Sequence, residues 1–170
     1  MHDEMERARQ TLHRLLDDAD PADLRRRSNG TRWTNQQLLF HMLFGYLIVR
    51  RQRPLVLLFG RLPDPASRIF AAGLNAATKP FHLINYLGSV CGGTVLRPAR
   101  IAGWMDRTIQ ALHQRLDTET DTDLGRVMHF PPAWDPYFAD TMTLRVVYHY
   151  ATQHFDHHCR QLILPSTTEP

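Results

Sequence analysis

The strongest constraint on the fold lies near the C-terminus, where apolar residues recur at helical spacing along residues 143–164. A repeat of this kind predicts an amphipathic helix whose apolar face turns toward a protein core. His154 and His158 fall on the same stripe, so both imidazoles are expected to point inward. Because residues four apart on a helix have Cβ atoms roughly 5 to 6 Å apart, the two rings can share one metal ion. The apolar members of the stripe are Leu144, Val147, Tyr148, Ala151, Phe155 and Leu162.

A third histidine lies in a different apolar segment. His41 is the only residue of LLFHMLFGYLIV, residues 38–49, with an ordinary pKa near neutral pH, and the segment otherwise has the composition of a buried helix. A single buried histidine is usually a core residue hydrogen-bonded to a carbonyl group, and that interpretation fits His41 taken alone. Three inward imidazoles in one small core, however, are costly unless something coordinates them. His41, His154 and His158 are therefore predicted to bind one divalent metal ion.

The other polar residues of the C-terminal helix are predicted to lie outside the set of metal ligands. His149 is on a different face from His154, and Asp156 lies about 200° around the helix from it. His157 lies at the edge of the stripe, where it is either part of the pocket rim or a base that acts through the ligands. Gln161 lies one heptad beyond His154 and is either a surface amide or a hydrogen-bond partner of a bound molecule.

Length and composition are those of one globular domain that covers residues 1–170. Hydrophobic residues make up 43% of the chain and charged residues 22%, values that fit an enzyme as well as a binding protein. The longest apolar run, residues 38–49, is well short of the roughly 20 residues that a membrane-spanning helix needs. The N-terminus has no signal-peptide pattern, and Cys91 and Cys159 have no metal or redox spacing. A cytoplasmic protein with reduced cysteines and no membrane partner is expected.

The charge pattern does not support nucleic-acid binding. A net charge of +3 is modest for a chain with two short arginine clusters, at residues 25–27 and 50–53. No helix-turn-helix, zinc-finger or aromatic-interleaved basic motif accompanies these clusters, and surface arginines are usually solvated. The expected partner is a small-molecule substrate rather than DNA or RNA.

Helical periodicity and helix caps predict four principal helices around one core. Thr34 and Thr143 are the predicted N-caps of the two histidine-bearing helices. Residues 121–140 are expected to form a loop, and no convincing strand pair is found. The four principal helices are predicted at residues 3–17, 34–51, 98–118 and 143–164.

A long apolar segment, residues 54–93, separates the second and third principal helices. Its Pro and Gly residues predict short helices, at residues 64–75 and 79–87, that pack on the rest of the protein rather than a flexible linker. The segment has more Leu, Ile and Phe side chains than a bundle interior obviously holds. We expect them to contribute to a symmetric homodimer interface, although a lid over the metal site or additional core would bury the same residues.

Two motifs resemble those of a known family. RWTNQQLLFH ends at His41 and HFDHHCRQL begins at His154, and together they resemble the DinB-like (YfiT-like) superfamily of four-helix-bundle metal proteins. The resemblance covers roughly residues 3–51 and 95–164. It implies an all-α four-helix bundle of this type with a helical insertion between the second and third main helices. In that family one histidine of the second helix and an H-x-x-x-H pair of the last hold zinc or nickel, which implies His41, His154 and His158.

The chemistry that the resemblance implies is broad. Relatives include S-transferases that use mycothiol or bacillithiol and a mycothiol-dependent isomerase, so a low-molecular-weight-thiol S-transferase acting on an electrophilic small molecule is expected. No catalytic side chain is assigned: the nucleophile would be a thiolate or water on the ion. A thiol-independent hydrolase and a noncatalytic ligand-binding bundle remain alternatives. The candidates to receive a carboxylate of the thiol cosubstrate are Arg32, Arg53, Arg97 and Arg100.

Overall fold

The computed structural model describes residues 1–164, which are mainly helical, as the sequence predicts. The described residues form eight helices and two short strands. In chain order these are α1 (His2–Asp18), α2 (Pro21–Arg25), α3 (Asn35–Phe59), α4 (Asp64–Ala76), α5 (Thr78–Val95), α6 (Pro98–Leu116), α7 (Asp121–Leu124), β1 (Val127–His129), β2 (Thr141–Thr143) and α8 (Leu144–Cys159).

The two histidine-bearing helices begin where their caps predict. The Thr34 side chain accepts a hydrogen bond from the backbone of Gln37, whose side chain in turn caps Thr34, and this capping box starts α3. The Thr143 hydroxyl accepts a hydrogen bond from the backbone N–H of Val146 and starts α8 in the same way. Both histidine-bearing helices therefore have a fixed starting point.

Helix α3 is longer than predicted. It was expected to end near Arg51 but continues through Pro54 to Phe59. A proline inside a helix removes one backbone hydrogen bond and crowds the preceding turn. Here the turn that follows Pro54 has Val56 fully buried in the core, with Leu55 and Leu57 packed against it, so burial of apolar surface outweighs the local cost.

Four of the longer helices surround the core. Helix α1 contacts α6 and α8, and α3 also contacts α6 and α8, so each of the four packs against two of the others. Their inward stripes form one continuous hydrophobic cluster, to which Leu24, Leu124 and the loop after β1 contribute. This arrangement places α3 beside α8, which is the contact that brings His41 toward His154 and His158.

Helices α4 and α5 occupy the segment that was predicted to be helical. Helix α5 was expected to end before two glycines but extends to Val95. The glycines allow the extension because they permit close approach to α3. A Cβ built on Gly92 would lie 2.2 Å from the Phe40 ring, and one on Gly93 would lie 2.4 Å from the Cα of Gln37.

The prediction of a loop without strands at residues 121–140 was wrong in part. Helix α7 begins this region, and β1 pairs with β2 in antiparallel register, with Met128 opposite Met142. Three-residue strands are too short for an alternating apolar pattern to be recognised in the sequence. The last helix also ends earlier than predicted, because residues 160–164 turn away from α8. The Asn35 side chain holds this turn, accepting from the N–H of Ile163 and donating to its carbonyl oxygen.

None of the described helices is long and apolar enough to cross a membrane.

Candidate metal centre

The three predicted histidines come together in the folded chain. Nε2 of His41 lies 3.2 Å from Nε2 of His154. One nitrogen from each of His41, His154 and His158 can be chosen so that all three lie within 4.8 Å of one another. Two nitrogen ligands of a tetrahedral zinc ion are about 3.4 Å apart, so the closest pair already has the spacing of a metal site. His41 and His154 are each only 4% exposed, which leaves few ways to hydrate their rings.

Hydrogen bonding fixes the tautomer of His41. The Ser89 hydroxyl donates its only hydrogen to the Asn85 carbonyl oxygen at 2.9 Å, so its oxygen accepts from Nδ1 of His41 at 3.0 Å. The His41 proton is therefore on Nδ1, and Nε2 presents a lone pair to the cluster. The Trp33 indole also stacks on this ring, with 4.4 Å between ring centroids. Ser89 and Trp33 together hold the imidazole in the orientation that a metal ligand needs.

His158 is oriented in a comparable way. Its Nδ1 lies 2.7 Å from Oε1 of Gln161, an oxygen that can only accept, so Nδ1 carries the proton and Nε2 is free to bind. Gln161 follows the end of α8 and thus contacts a candidate ligand directly. The sequence predicted either a surface amide or a hydrogen-bond partner of a bound molecule, whereas the contact observed is with His158.

His154 is the most constrained of the three rings. Its Nδ1 is buried and has no hydrogen-bond partner among the described residues. Helix α3 passes directly beside this atom at Gly45, where an added Cβ would lie only 2.6 Å from Nδ1. The missing side chain of Gly45 therefore makes the space in which the His154 imidazole sits. Nothing in the apolar-stripe pattern indicated this role, because Gly45 belongs to another helix.

All three imidazoles are held in the neutral form that binds metals. Burial lowers the pKa of His154 to about 3, and the neighbouring His157 adds to this effect. Burial, reinforced by His154, lowers the pKa of His158 to about 3. Burial also places the pKa of His41 well below its usual value. Three neutral nitrogen donors converging in a buried site match the preferences of zinc and similar divalent ions, so the residues fit a metal.

The other histidines of α8 are placed apart from the cluster. His149 pairs with Glu4 at 2.7 Å, as expected for a residue on a different face. His157 contacts the Tyr137 hydroxyl through Nδ1 at 3.2 Å and meets the edge of the His158 ring. It lies beside a candidate ligand without joining the converging nitrogens. Asp156, which was expected to face away, forms an ion pair with Arg7.

Sequence reasoning missed Asp135, which the structure brings to the cluster. Its Oδ2 lies 3.8 Å from Nε2 of His154 and accepts a hydrogen bond from the Tyr150 hydroxyl at 2.9 Å. The backbone N–H of Tyr137 donates to Oδ1 at 2.9 Å. Burial raises the pKa of this carboxyl, and the two hydrogen bonds oppose the rise. Asp135 belongs to the loop between β1 and β2, where no periodicity marks a residue as inward-facing.

Two cavities reach the histidines. The larger, about 520 Å³, is lined by His41, His154 and Asp135 together with apolar side chains. The smaller, about 300 Å³, is lined by His158, Gln161 and Arg32. Asn85 of α5 lines both. One space therefore reaches His41 and His154, and the other reaches His158.

Of the four arginines considered as carboxylate receptors, one adjoins this site. Arg32 lines the smaller cavity. Arg53 is paired with the buried carboxylate of Glu119, and Arg97 and Arg100 are exposed at the start of α6, where they line neither cavity. The sequence alone could not choose among the four because the choice depends on how separate elements pack.

Comparison with protein-family models identifies the family of this chain. A sequence model of the DinB superfamily matches residues 4–162, nearly the full length of the chain. The protein therefore belongs to the DinB superfamily. No curated protein and no solved structure matches it. Family membership and the histidine cluster together define a helical protein with three histidines that could hold a metal ion.

Proposed function

We propose that this protein is a metal-dependent enzyme of the DinB superfamily that transfers a low-molecular-weight thiol, of the mycothiol or bacillithiol type, to an electrophilic small molecule. His41, His154 and His158 would hold the ion, zinc or nickel. The observation that carries the proposal is the convergence of three neutral imidazoles between two separate cavities. A divalent ion held there acts as a Lewis acid, which lowers the pKa of a thiol or of water and so favours attack near neutral pH.

The two cavities support a reaction with two small-molecule substrates. The smaller cavity has Arg32, an exposed cation, among its lining residues, which suits a polar thiol cosubstrate with a carboxylate. The larger cavity is mainly apolar and suits the electrophile. The cosubstrate sulfur would bond to the electrophilic carbon, and the thiol proton would leave with the departing group or with solvent.

The chain's own side chains would orient the reactants. Ser89 and Gln161 hold the rings of His41 and His158. The Asp135 carboxylate, beside His154, can accept a hydrogen bond from a thiol or water that binds at the cluster. Burial raises the pKa of the Cys159 thiol to about 12, so this cysteine is protonated at neutral pH and does not replace the external thiol as nucleophile.

Thiol dependence is the test of this function. The metal-loaded protein would be assayed with 1-chloro-2,4-dinitrobenzene in the presence and absence of mycothiol or bacillithiol, beside the His154→Ala variant. We expect turnover that requires both the thiol and the intact histidines. Turnover that is the same without thiol would identify a hydrolase instead. A rate that never exceeds that of the metal-free protein would contradict enzymatic function and favour a noncatalytic ligand-binding protein.

We also propose that α1, α3, α6 and α8 form the DinB-type four-helix bundle of a single domain, with residues 54–93 as an insertion. A cytoplasmic location fits this proposal because low-molecular-weight thiols are kept reduced there. The insertion would contribute to a homodimer, since large apolar side chains of this segment remain exposed. These exposed side chains are Leu58, Leu62, Ile69, Leu83, Ile84 and Leu87.

Sedimentation equilibrium at micromolar concentration tests the dimer. We expect twice the mass of one chain for the protein and a monomer mass for the Ile84→Asp variant, because Ile84 is 68% exposed and a charge there opposes burial against a partner. A monomer mass for the unaltered protein would contradict the dimer.

A further inference from the structure

One carboxylate beside the histidine cluster lacks the cationic partner that other little-exposed acids of this protein have. The Asp135 side chain is only 14% exposed, yet no arginine or lysine of the described residues forms an ion pair with it. Glu119, which is 2% exposed, pairs with Arg53, and the partly exposed Asp123 pairs with Arg126. Removing a charge from water is costly unless an opposite charge compensates it, so Asp135 calls for an explanation.

The hydrogen bonds of this carboxyl group favour its charged form. Oδ1 accepts from the backbone N–H of Tyr137 at 2.9 Å, and Oδ2 accepts from the Tyr150 hydroxyl at 2.9 Å. Burial raises the pKa of Tyr150 well above its usual value, so this hydroxyl keeps its proton and donates. Although burial also raises the pKa of Asp135, both of its oxygens act as acceptors, which favours the carboxylate over the acid. Asp135 therefore brings a negative charge to the larger cavity.

The side chains around Asp135 do not supply the missing positive charge. Its Oδ2 lies 3.8 Å from Nε2 of His154. Burial lowers the pKa of His154 and that of His158 to about 3, so both rings are uncharged at neutral pH. His157 bonds to a tyrosine hydroxyl, and the exposed Arg51 lines the same cavity, but neither forms an ion pair with Asp135.

The histidine cluster is the place where a compensating cation fits. The Nε2 atom of His154 that lies near Asp135 also lies 3.2 Å from Nε2 of His41. Because zinc bonds to imidazole nitrogen at about 2.0 to 2.1 Å, an ion on this Nε2 would lie within about 6 Å of Oδ2 of Asp135. Opposite charges at that separation attract one another in a mainly apolar space. Asp135 is also the only acidic residue that lines either cavity of the cluster.

We infer that Asp135 is the anionic partner of the metal ion, whose histidine ligands are all neutral, and that its carboxylate compensates part of the ion's positive charge. The inference rests on that part of the proposed function in which the three histidines hold a divalent ion, and not on thiol transfer. One singly charged anion, such as the thiolate of a cosubstrate, then completes the compensation. The carboxylate thus strengthens the binding of the ion and weakens the attraction of the site for further anions.

Replacement of Asp135 by asparagine tests this inference. The carboxamide keeps an oxygen for the Tyr137 N–H and a hydrogen-bonding group for the Tyr150 hydroxyl, but it has no charge. Competition with a chelating dye should show a zinc affinity that is lower by about 10-fold to 100-fold, as is typical when a partner beside the ligands is lost. Asp123→Asn, which makes the same chemical change outside both cavities, is the matched control and should leave the affinity unchanged. Equal zinc affinity in Asp135→Asn and the unaltered protein would overturn the inference.

Azide binding provides a second measurement in which the expected change has the opposite direction. Cobalt-loaded proteins, with both variants saturated in metal, would be titrated with azide and followed by visible absorption. Loss of the nearby negative charge should make azide bind at least about tenfold more tightly to Asp135→Asn. Pyridine, a neutral ligand, should bind nearly equally to both proteins, whereas altered access to the ion would change both probes alike. Azide that binds no more tightly to the variant would overturn the inference.

Urea unfolding of the metal-free proteins separates the charge of Asp135 from a purely structural role. The asparagine variant removes a buried charge that has no compensating cation, so its unfolding midpoint should equal or exceed that of the unaltered protein. A side chain that only held the loop between β1 and β2 would give a lower midpoint. Weaker zinc binding accompanied by a lower midpoint would therefore count as a structural effect and overturn the inference.

The outcomes distinguish this inference from the proposed function. An unaltered protein that binds no divalent ion would contradict both. Weaker zinc binding and tighter azide binding by Asp135→Asn, in a protein that shows no thiol transfer, would uphold the inference and count against thiol transfer alone.

Discussion

The histidine cluster and the α4–α5 segment differ in their solvent exposure. His41 and His154 lie in the core, each 4% exposed, between two helices that pack closely. In α4 and α5, by contrast, Ile69 is 74% exposed and Ile84 is 68% exposed. The residues that are buried in this segment are small ones, Ser67, Ala71, Ser89 and Gly93. Close packing in the segment serves its contacts with β1 and α3 rather than a core of its own.

This difference separates two tasks. The core holds the histidines in place before any ion arrives, because Gly45, Ser89 and Gln161 fix the space and the tautomers. The α4–α5 segment supplies Phe81 and Asn85 to the larger cavity and presents apolar surface outward. A histidine cluster that could hold a metal ion is thus combined with a cavity wall supplied by a separate segment.

The largest effect is expected from the ligands themselves. Replacing His154 by alanine should remove nearly all bound metal, because two imidazoles in a mainly apolar space hold a divalent ion poorly. Elemental analysis of protein purified without chelator or affinity tag measures the stoichiometry. His149→Ala, on another face of α8 and paired with Glu4, is the control and should keep its metal. An unchanged metal content in His154→Ala would refute the assignment.

Acidification of the metal-free protein tests how strongly the core stabilises the neutral form of the histidine rings. The folded pKa values of His154 and His158 are about 3, against 6.5 for an unperturbed histidine. Between these two pH values the unfolded chain binds more protons than the folded chain. The contribution of the neutral rings to the free energy of unfolding is therefore fully present above pH 6.5 and is lost as the pH falls toward 3. Urea unfolding between pH 6.5 and about 4.5 should show a loss of several kcal/mol, and a variant that lacks one of the two rings separates their contribution from that of carboxylates, which begin to protonate near pH 4.5.

The His158→Gln variant is the control for this pH dependence, since it keeps a polar side chain of similar reach but does not titrate. Its stability should fall less steeply over the same interval. Equal stability of the metal-free protein at pH 6.5 and 4.5 would show that the rings are not held neutral by burial. The metal-loaded protein should also lose its ion on acidification, because protons and metal compete for the same nitrogens.

A smaller effect is expected where the α4–α5 segment touches the cluster. Ser89→Ala removes the hydroxyl that orients His41, and losses of about 10-fold to 100-fold in metal affinity are typical for such partners. Competition with a chelating dye measures the affinity. Ser67→Ala is a matched control, as Ser67 is equally buried but lies on α4 away from the cavities that reach the histidines. Equal metal affinities in the two variants would show that the α4–α5 segment does not contribute to metal binding.

The smallest effect contrasts two glycines. Gly45→Ala places a Cβ 2.6 Å from Nδ1 of His154, so the ring must shift and the free energy of unfolding should fall by about 1 to 3 kcal/mol. Gly88→Ala on α5 meets no atom within 4 Å, and the better helix propensity of alanine should raise stability by up to about 1 kcal/mol. Urea titrations of both variants give these values. An unchanged free energy of unfolding in the Gly45→Ala variant would mean that the core around His154 is not closely packed.

Most of the helical plan could be predicted from the sequence. Periodicity and caps placed α1, α3, α6 and α8 and identified His154 and His158 on an inward stripe, since a helical repeat shows which face is buried. His41 was identified because it lies within a continuous apolar run. Errors arose where local signals conflict with packing. Pro54 suggested a helix end that the core overrides, and the glycines of α5 suggested a stop where they instead allow close approach to α3.

The sequence by itself determined the residue types and spacing that make a metal site possible, because ligands on helices follow the helical repeat. Only the tertiary structure decided which residues support that site. Asp135 lies in a loop, Ser89 lies on a neighbouring helix, and Gly45 contributes space because it has no side chain. No helical repeat links any of these residues to His154. A repeat within one helix specifies which side chains point toward the core. Which residues those side chains contact depends on how separate elements pack.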